Sequence, residues 1–128
     1  MKLKKILAVD DDRNMLILID NILNKDKYEL ITAENGTSAL EKAKGELPDL
    51  IILDVQLPEI DGFRVFKELK SNPQTKDIPV IMLTGISEKR GIHFSKEEMG
   101  AFYKVEPQHY LDKPIHPDKL RKIIEKII

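Results

Sequence analysis

Three consecutive carboxylates, Asp10, Asp11 and Asp12, follow an apolar run in the stretch KKILAVDDDRN near the N-terminus. Two unit charges about 4 Å apart repel by roughly 4 kcal/mol at an effective dielectric constant near 20. Water screens such repulsion on an open surface, whereas a bound cation reverses its sign. The stretch therefore suggests a cation site, and the remaining polar residues of the chain are the test of that hypothesis.

Three further polar residues follow apolar runs in a similar way. Asp54 comes after LIIL, Thr84 after VIML, and Lys113 shortly after HYL. If these runs are parallel strands, their carboxyl ends meet at one edge of a sheet, where such folds bind their ligands. The carboxylates, the hydroxyl and the ammonium would then converge on one pocket.

The chemistry of such a pocket follows from its residue types. Carboxylate oxygens suit Mg²⁺, which keeps several waters and leaves positions for phosphate oxygens. A lysine can pair with one phosphoryl oxygen, and a threonine hydroxyl can donate to another. A carboxylate facing a metal and a cation is placed to attack phosphorus, with catalysis mostly by positioning and charge neutralisation.

The elements that must position these residues are short apolar runs alternating with segments of helical periodicity. The runs predict strands at 6–9, 28–33, 50–53 and 80–83, and a short fifth strand from residue 109. The periodic segments predict helices at 15–23, with Asp12 or Asn14 as N-cap, at 37–47, at 63–72 and through 120–127. The charged, weakly periodic segment 85–107 predicts a helix followed by an extended loop. This alternation predicts an α/β doubly wound parallel sheet with helices on both faces.

Bulk properties narrow the class of protein. The 128 residues suit one domain, expected to span 1–128, and they suffice for a buried core. A net charge of −1 argues against general electrostatic binding to nucleic acid or anionic lipid. The absence of cysteine excludes disulfides, thiolate chemistry and Cys-type zinc sites. The N-terminus is unlike a signal peptide, and no apolar stretch approaches the roughly 20 residues of a membrane span, so a cytoplasmic location is expected.

The motifs ILAVDDD, LIILDVQLPEIDG, PVIMLTG and YLDKPI together resemble the receiver domain of two-component response regulators. They occur in register at the predicted strand ends and cover nearly the whole chain. The resemblance implies a flavodoxin-like five-stranded parallel sheet with strand order 2-1-3-4-5 that carries an aspartyl phosphate. It also implies a sensor histidine kinase or a histidine phosphotransfer protein as phosphoryl donor, an output through protein–protein contacts, and no direct binding to nucleic acid or membrane.

The resemblance also implies roles for individual residues. Asp54 would be the phosphoacceptor, and Asp10 and Asp11 would form the acidic pair that holds Mg²⁺ or Mn²⁺. Asp11 and Asp54 are favoured as direct ligands of the metal, with the backbone carbonyl of Gln56 as a further ligand. The residues that would contact the phosphoryl group or respond to it are Thr84, Lys113 and Tyr110, the last as an aromatic switch coupled to Thr84. The peptide bond between Lys113 and Pro114 is expected to be cis.

Two other functions remain open from the sequence. A small phosphohydrolase similar to the haloacid dehalogenase group would use Asp10 as nucleophile and Asp12 as acid or base. Against it, no acidic pair follows the fourth predicted strand. The second alternative is a receiver-like binding module that never takes phosphate.

Overall fold

The computed structural model describes residues 3–58, 60–84 and 109–128, and these ranges contain five strands and four helices. In chain order the elements are β1 (Lys4–Val9), α1 (Arg13–Ile22), β2 (Tyr28–Ala33), α2 (Gly36–Glu46), β3 (Leu50–Asp54), α3 (Gly62–Ser71), β4 (Val80–Thr84), β5 (His109–Asp112) and α4 (Pro117–Ile127). The helix and loop expected over 85–107 lie outside the described residues.

All four strand pairings in the sheet are parallel, and the strand order is β2-β1-β3-β4-β5. The predicted fold class and the strand order implied by the resemblance are thereby confirmed. The order reverses direction at β1, since β2 lies on one side of it and β3 on the other. That reversal opens a crevice at the carboxyl ends of β1 and β3, where doubly wound sheets bind ligands.

The core has two layers because side chains alternate between the two faces of the sheet. Helices α1 and α4 cover one face, with Ile19 and Leu120 among its buried residues. Helices α2 and α3 cover the other face, with Ala39 and Phe66 among its buried residues. With both faces covered, β3 is buried along its whole length, which explains its uninterrupted apolar sequence.

Side-chain caps fix where three of the helices begin. Asp12 is the N-cap of α1, and its carboxylate accepts a hydrogen bond of 2.9 Å from the backbone N–H of Asn14. Asn35 and Asp61 cap α2 and α3 in the same way. Of the two N-caps predicted for α1, Asp12 is therefore the correct one. None of the helices in the described ranges is both long and apolar enough to cross a lipid bilayer.

Leu47, the C-cap of α2, has a left-handed backbone with φ 46° and ψ 63°. This conformation costs a residue with a Cβ roughly 1–2 kcal/mol, whereas glycine adopts it freely. Leu47 is 56% exposed, so its side chain contributes little packing. We expect Leu47→Gly to raise the free energy of unfolding by about 1 kcal/mol in urea denaturation. The control is Leu47→Ala, which removes the same side chain but keeps the Cβ; equal stability of the two variants would contradict the prediction.

Candidate functional site

The predicted polar residues lie at the carboxyl ends of four neighbouring strands. Asp10 follows β1, Asp54 ends β3, Thr84 ends β4 and Lys113 follows β5. The register aligns these ends, because Asp54 pairs with Leu83 on β4. The sequence prediction that these side chains share one edge of the sheet agrees with the observed geometry.

Three carboxylates form a tight cluster at this edge. One oxygen from each of Asp10, Asp11 and Asp54 lies within 4.8 Å of the others. Asp10 and Asp54 are buried, with 0% and 2% of their surface exposed, while Asp11 is open to solvent. An acidic cluster with one exposed member could hold a metal ion that keeps part of its hydration shell.

Lys113 reaches from the end of β5 into this cluster. Its Nζ lies 3.0 Å from Oδ2 of Asp10 and 3.3 Å from Oδ1 of Asp54. Burial lowers the pKa of Lys113, but the carboxylates of Asp54 and Asp10 raise it by more, so the net pKa lies above its usual value. The ammonium is therefore held in its charged form beside both buried carboxylates.

The carboxyl of Asp54 is the most perturbed acid of the cluster. Burial and the charge of Asp10 raise the pKa of Asp54 to about 6, against the opposing effects of Lys113 and the backbone N–H of Gln56. That N–H donates a 3.2 Å hydrogen bond to Oδ1 of Asp54. One ammonium does not compensate three carboxylates, so a divalent cation fits the charge of the site. Asp54 is nevertheless mostly ionised above pH 7, as a nucleophile must be.

Asp12 differs from its two acidic neighbours. Its backbone N–H donates a 2.9 Å hydrogen bond to Oδ1 of Asp10, which helps to orient that buried carboxylate. Its own side chain caps α1 at the exposed surface, where its negative charge interacts favourably with the positive end of the helix dipole. Asp12 thus stabilises the start of α1, whereas Asp10 and Asp11 belong to the carboxylate cluster.

Thr84 contacts a residue to which the sequence pattern assigned no role. Its hydroxyl donates a 2.8 Å hydrogen bond to Oδ1 of Asp112, its register partner on β5. The backbone also joins the two strand ends, because the N–H of Lys113 donates to the Thr84 carbonyl at 2.7 Å. Asp112 carried no signal in the sequence, since it became a neighbour of Thr84 only through strand pairing.

Gly62 is a second residue whose contact with the site was not predicted. A Cβ built at Gly62 would lie 2.1 Å from the backbone oxygen of Asp54 and 2.7 Å from Cα of Val55. The N–H of Gly62 also donates to the Val55 carbonyl at 2.8 Å. Gly62, the first residue of α3, thus packs directly on the backbone that carries Asp54.

Three further expectations concern the Lys113–Pro114 peptide bond, Tyr110 and Gln56. The Lys113–Pro114 peptide bond is cis, as the resemblance implies. Tyr110 is half-buried on β5 and packs against the core layer that α2 and α3 cover. Gln56 is half-buried directly after β3. The switch role of Tyr110 and the ligand role of the Gln56 carbonyl stay predictions.

The sequence and the fold of this chain are similar to those of known proteins. A family model described as the response regulator receiver domain matches residues 6–125. The chain is 35% identical over 125 residues to sporulation initiation phosphotransferase F of Bacillus subtilis, covering 98% of this chain and 94% of that protein. Among solved structures, the chemotaxis protein CheY4 of Vibrio cholerae is 31% identical with a TM-score of 0.83, covering 99% of this chain and all of that one.

Other curated relatives are longer proteins. The alkaline phosphatase synthesis transcriptional regulatory protein PhoP of Bacillus subtilis is 38% identical over 128 residues. The alignment covers 98% of this chain but only 48% of that protein. The chain thus spans about half the length of this relative.

Proposed function

Because the chain belongs to the family of response regulator receiver domains, we propose that it accepts a phosphoryl group on Asp54 and thereby switches its contacts with partner proteins. Receiver domains are signalling domains that histidine kinases or phosphotransfer proteins phosphorylate. For this chain we propose a phosphohistidine donor of one of these two kinds, in the cytoplasm, and a single receiver domain over 1–128. The observation that carries the proposal is the buried Asp54 carboxylate beside both Lys113 and the Asp10–Asp11 pair.

The transfer itself needs little from the protein beyond placement and charge. An oxygen of Asp54 forms a bond to phosphorus while the bond between phosphorus and the donor imidazole nitrogen breaks, and that nitrogen keeps the electron pair. The ammonium of Lys113 lies 3.3 Å from Asp54 and can pair with a phosphoryl oxygen once the acyl phosphate forms. Thr84 ends the neighbouring strand and offers a hydroxyl to a second phosphoryl oxygen.

We also propose that Asp10, Asp11, Asp54 and the backbone carbonyl of Gln56 hold Mg²⁺ or Mn²⁺. The support is the charge imbalance of the cluster and the hardness of its oxygen donors. When bound, the metal would neutralise the charge of the carboxylates and of the incoming phosphoryl group. The buried Asp10 is fixed by Lys113 and by the N–H of Asp12, so the exposed Asp11 is the freer carboxylate for metal coordination.

The alternatives gain no support. A haloacid-dehalogenase-like phosphohydrolase needs Asp12 as acid or base, but the Asp12 side chain is exposed and caps α1. A binding module that never takes phosphate has no need of a buried carboxylate beside two others, which costs stability.

The test is intact-mass spectrometry after incubation with acetyl phosphate, with Mg²⁺ or with EDTA. We expect Mg²⁺-dependent gain of one phosphoryl group, because the metal offsets the negative charge that repels the donor. Borohydride reduction of the acyl phosphate followed by peptide mapping should place the modification at Asp54. Equal labelling in EDTA, or a modification mapped to another residue, would contradict the proposal.

A further inference from the structure

The hydroxyl of Thr84 already has an acceptor in the protein as described. Its Oγ1 lies 2.8 Å from Oδ1 of Asp112, and the two residues face each other across β4 and β5. Asp112 is exposed, and its carboxylate is the acceptor of this hydrogen bond. From this contact we propose that Asp112 is a positioning residue that competes with the phosphoryl group for the hydroxyl proton of Thr84. The inference rests on the proposed function of Asp54.

The competition follows from the number of protons. A threonine hydroxyl carries one O–H donor, and the oxygens of an aspartyl phosphate are acceptors only. Thr84 therefore cannot donate to Asp112 and to a phosphoryl oxygen at the same time. Phosphorylation of Asp54 exchanges one charge-assisted hydrogen bond for another instead of adding a new one.

The backbone allows this exchange without moving the strand ends. The N–H of Lys113 donates to the carbonyl of Thr84 at 2.7 Å, so the two strand ends stay joined whichever acceptor the hydroxyl has. The exchange of acceptor therefore concerns the Thr84 side chain and leaves this backbone hydrogen bond in place. In this way Asp112 stabilises the unphosphorylated arrangement of Thr84 and lowers the affinity of the site for a phosphoryl group.

Trifluoroberyllate, a non-covalent mimic of the aspartyl phosphoryl group, allows that affinity to be measured at equilibrium. Its dissociation constant should be measured in Mg²⁺ for wild type, Asp112→Ala, Asp112→Asn and Thr84→Val, and for both Asp112 changes combined with Thr84→Val. Losing an exposed competing hydrogen bond should tighten binding by about three- to tenfold in Asp112→Ala. Asp112→Asn keeps an acceptor oxygen of nearly the same shape without the charge, so its binding should fall between wild type and Asp112→Ala.

The Thr84→Val background separates the hydrogen bond from the charge of Asp112. Without the hydroxyl, only the electrostatic effect of Asp112 on the bound anion remains, so the tightening should shrink to that smaller part. Equal tightening in both backgrounds, or none in either, would overturn the role of Asp112. If wild type failed to bind trifluoroberyllate at all, the proposed function would fall, and the role of Asp112 with it.

Discussion

Asp54→Asn is expected to abolish phosphorylation by acetyl phosphate while making the metal-free protein more stable at neutral pH. The amide cannot serve as the attacking carboxylate, so no phosphoryl group should be gained. The stability gain arises because the carboxylate of Asp54 is buried beside that of Asp10, which raises the pKa of Asp54 to about 6. Asparagine keeps an oxygen that can accept from Lys113 and from the N–H of Gln56 without adding charge.

The pH dependence gives the sign of this effect. The folded-state pKa of Asp54 is about 6 and its ordinary value is 3.8, so the folded protein binds the proton more tightly than the unfolded chain. Ionisation of Asp54 therefore destabilises the fold, an effect absent below about pH 4 and complete above the folded-state pKa. In EDTA, urea denaturation of wild type should show about 3 kcal/mol of stability lost to this ionisation between these limits. The loss should be absent in Asp54→Asn.

A matched control is Asp20→Asn, which removes an exposed carboxylate paired with Lys25 at 2.8 Å. Exposed pairs contribute about 0–1 kcal/mol, so this variant should keep the wild-type pH dependence. Mg²⁺ should reduce or reverse the difference in free energy of unfolding between wild type and Asp54→Asn. The reason is that a ligand of the folded wild-type protein stabilises it by mass action. An Asp54→Asn protein less stable than wild type at pH 7.5 in EDTA would contradict the predicted charge repulsion.

The sequence predicted those parts of the fold that depend on local pattern. The apolar run ending at Leu53 predicted a buried strand, because a strand covered on both faces is apolar throughout. The apolar residues around Ile19 predicted a helix face, because they recur with the pitch of a helix. Boundaries were less exact: β1 begins at Lys4, two residues before its predicted start, because Lys4 and Lys5 pair with β2 without being apolar. The strand order came from the resemblance, since periodicity does not say which strands are neighbours.

Part of the site was predictable for the same reason. Polar residues that end apolar runs must gather at one edge of a parallel sheet, which brings Asp10 and Asp54 together. The contacts between particular side chains were not predictable, because they depend on register and reach. The Lys113 side chain extends from β5 to carboxylates on β1 and β3, and Asp112 meets Thr84 only through the pairing of β4 with β5.

Gly62→Ala is expected to lower the free energy of unfolding by more than about 2 kcal/mol and to slow phosphorylation of Asp54. The added Cβ would lie 2.1 Å from the Asp54 carbonyl oxygen and 2.7 Å from Cα of Val55, and neither atom belongs to a flexible side chain. The backbone must therefore shift, at the cost typical of overpacking in a buried position. A displacement of about 1 Å at a reacting group can cost on the order of a hundredfold in rate.

The control is Gly45→Ala in α2, where a Cβ would meet no heavy atom within 4 Å. Alanine is the better helix former, so this variant should gain about 0.5–1 kcal/mol and phosphorylate at the wild-type rate. Urea denaturation and the acetyl phosphate assay on both variants measure the two effects separately. Equal free energies of unfolding for the two variants would show that the backbone at Asp54 can shift without loss of stability, and would contradict the prediction. Opposite changes would show that the position of the phosphoacceptor depends on a residue with no side chain, because only glycine lets α3 begin against the end of β3.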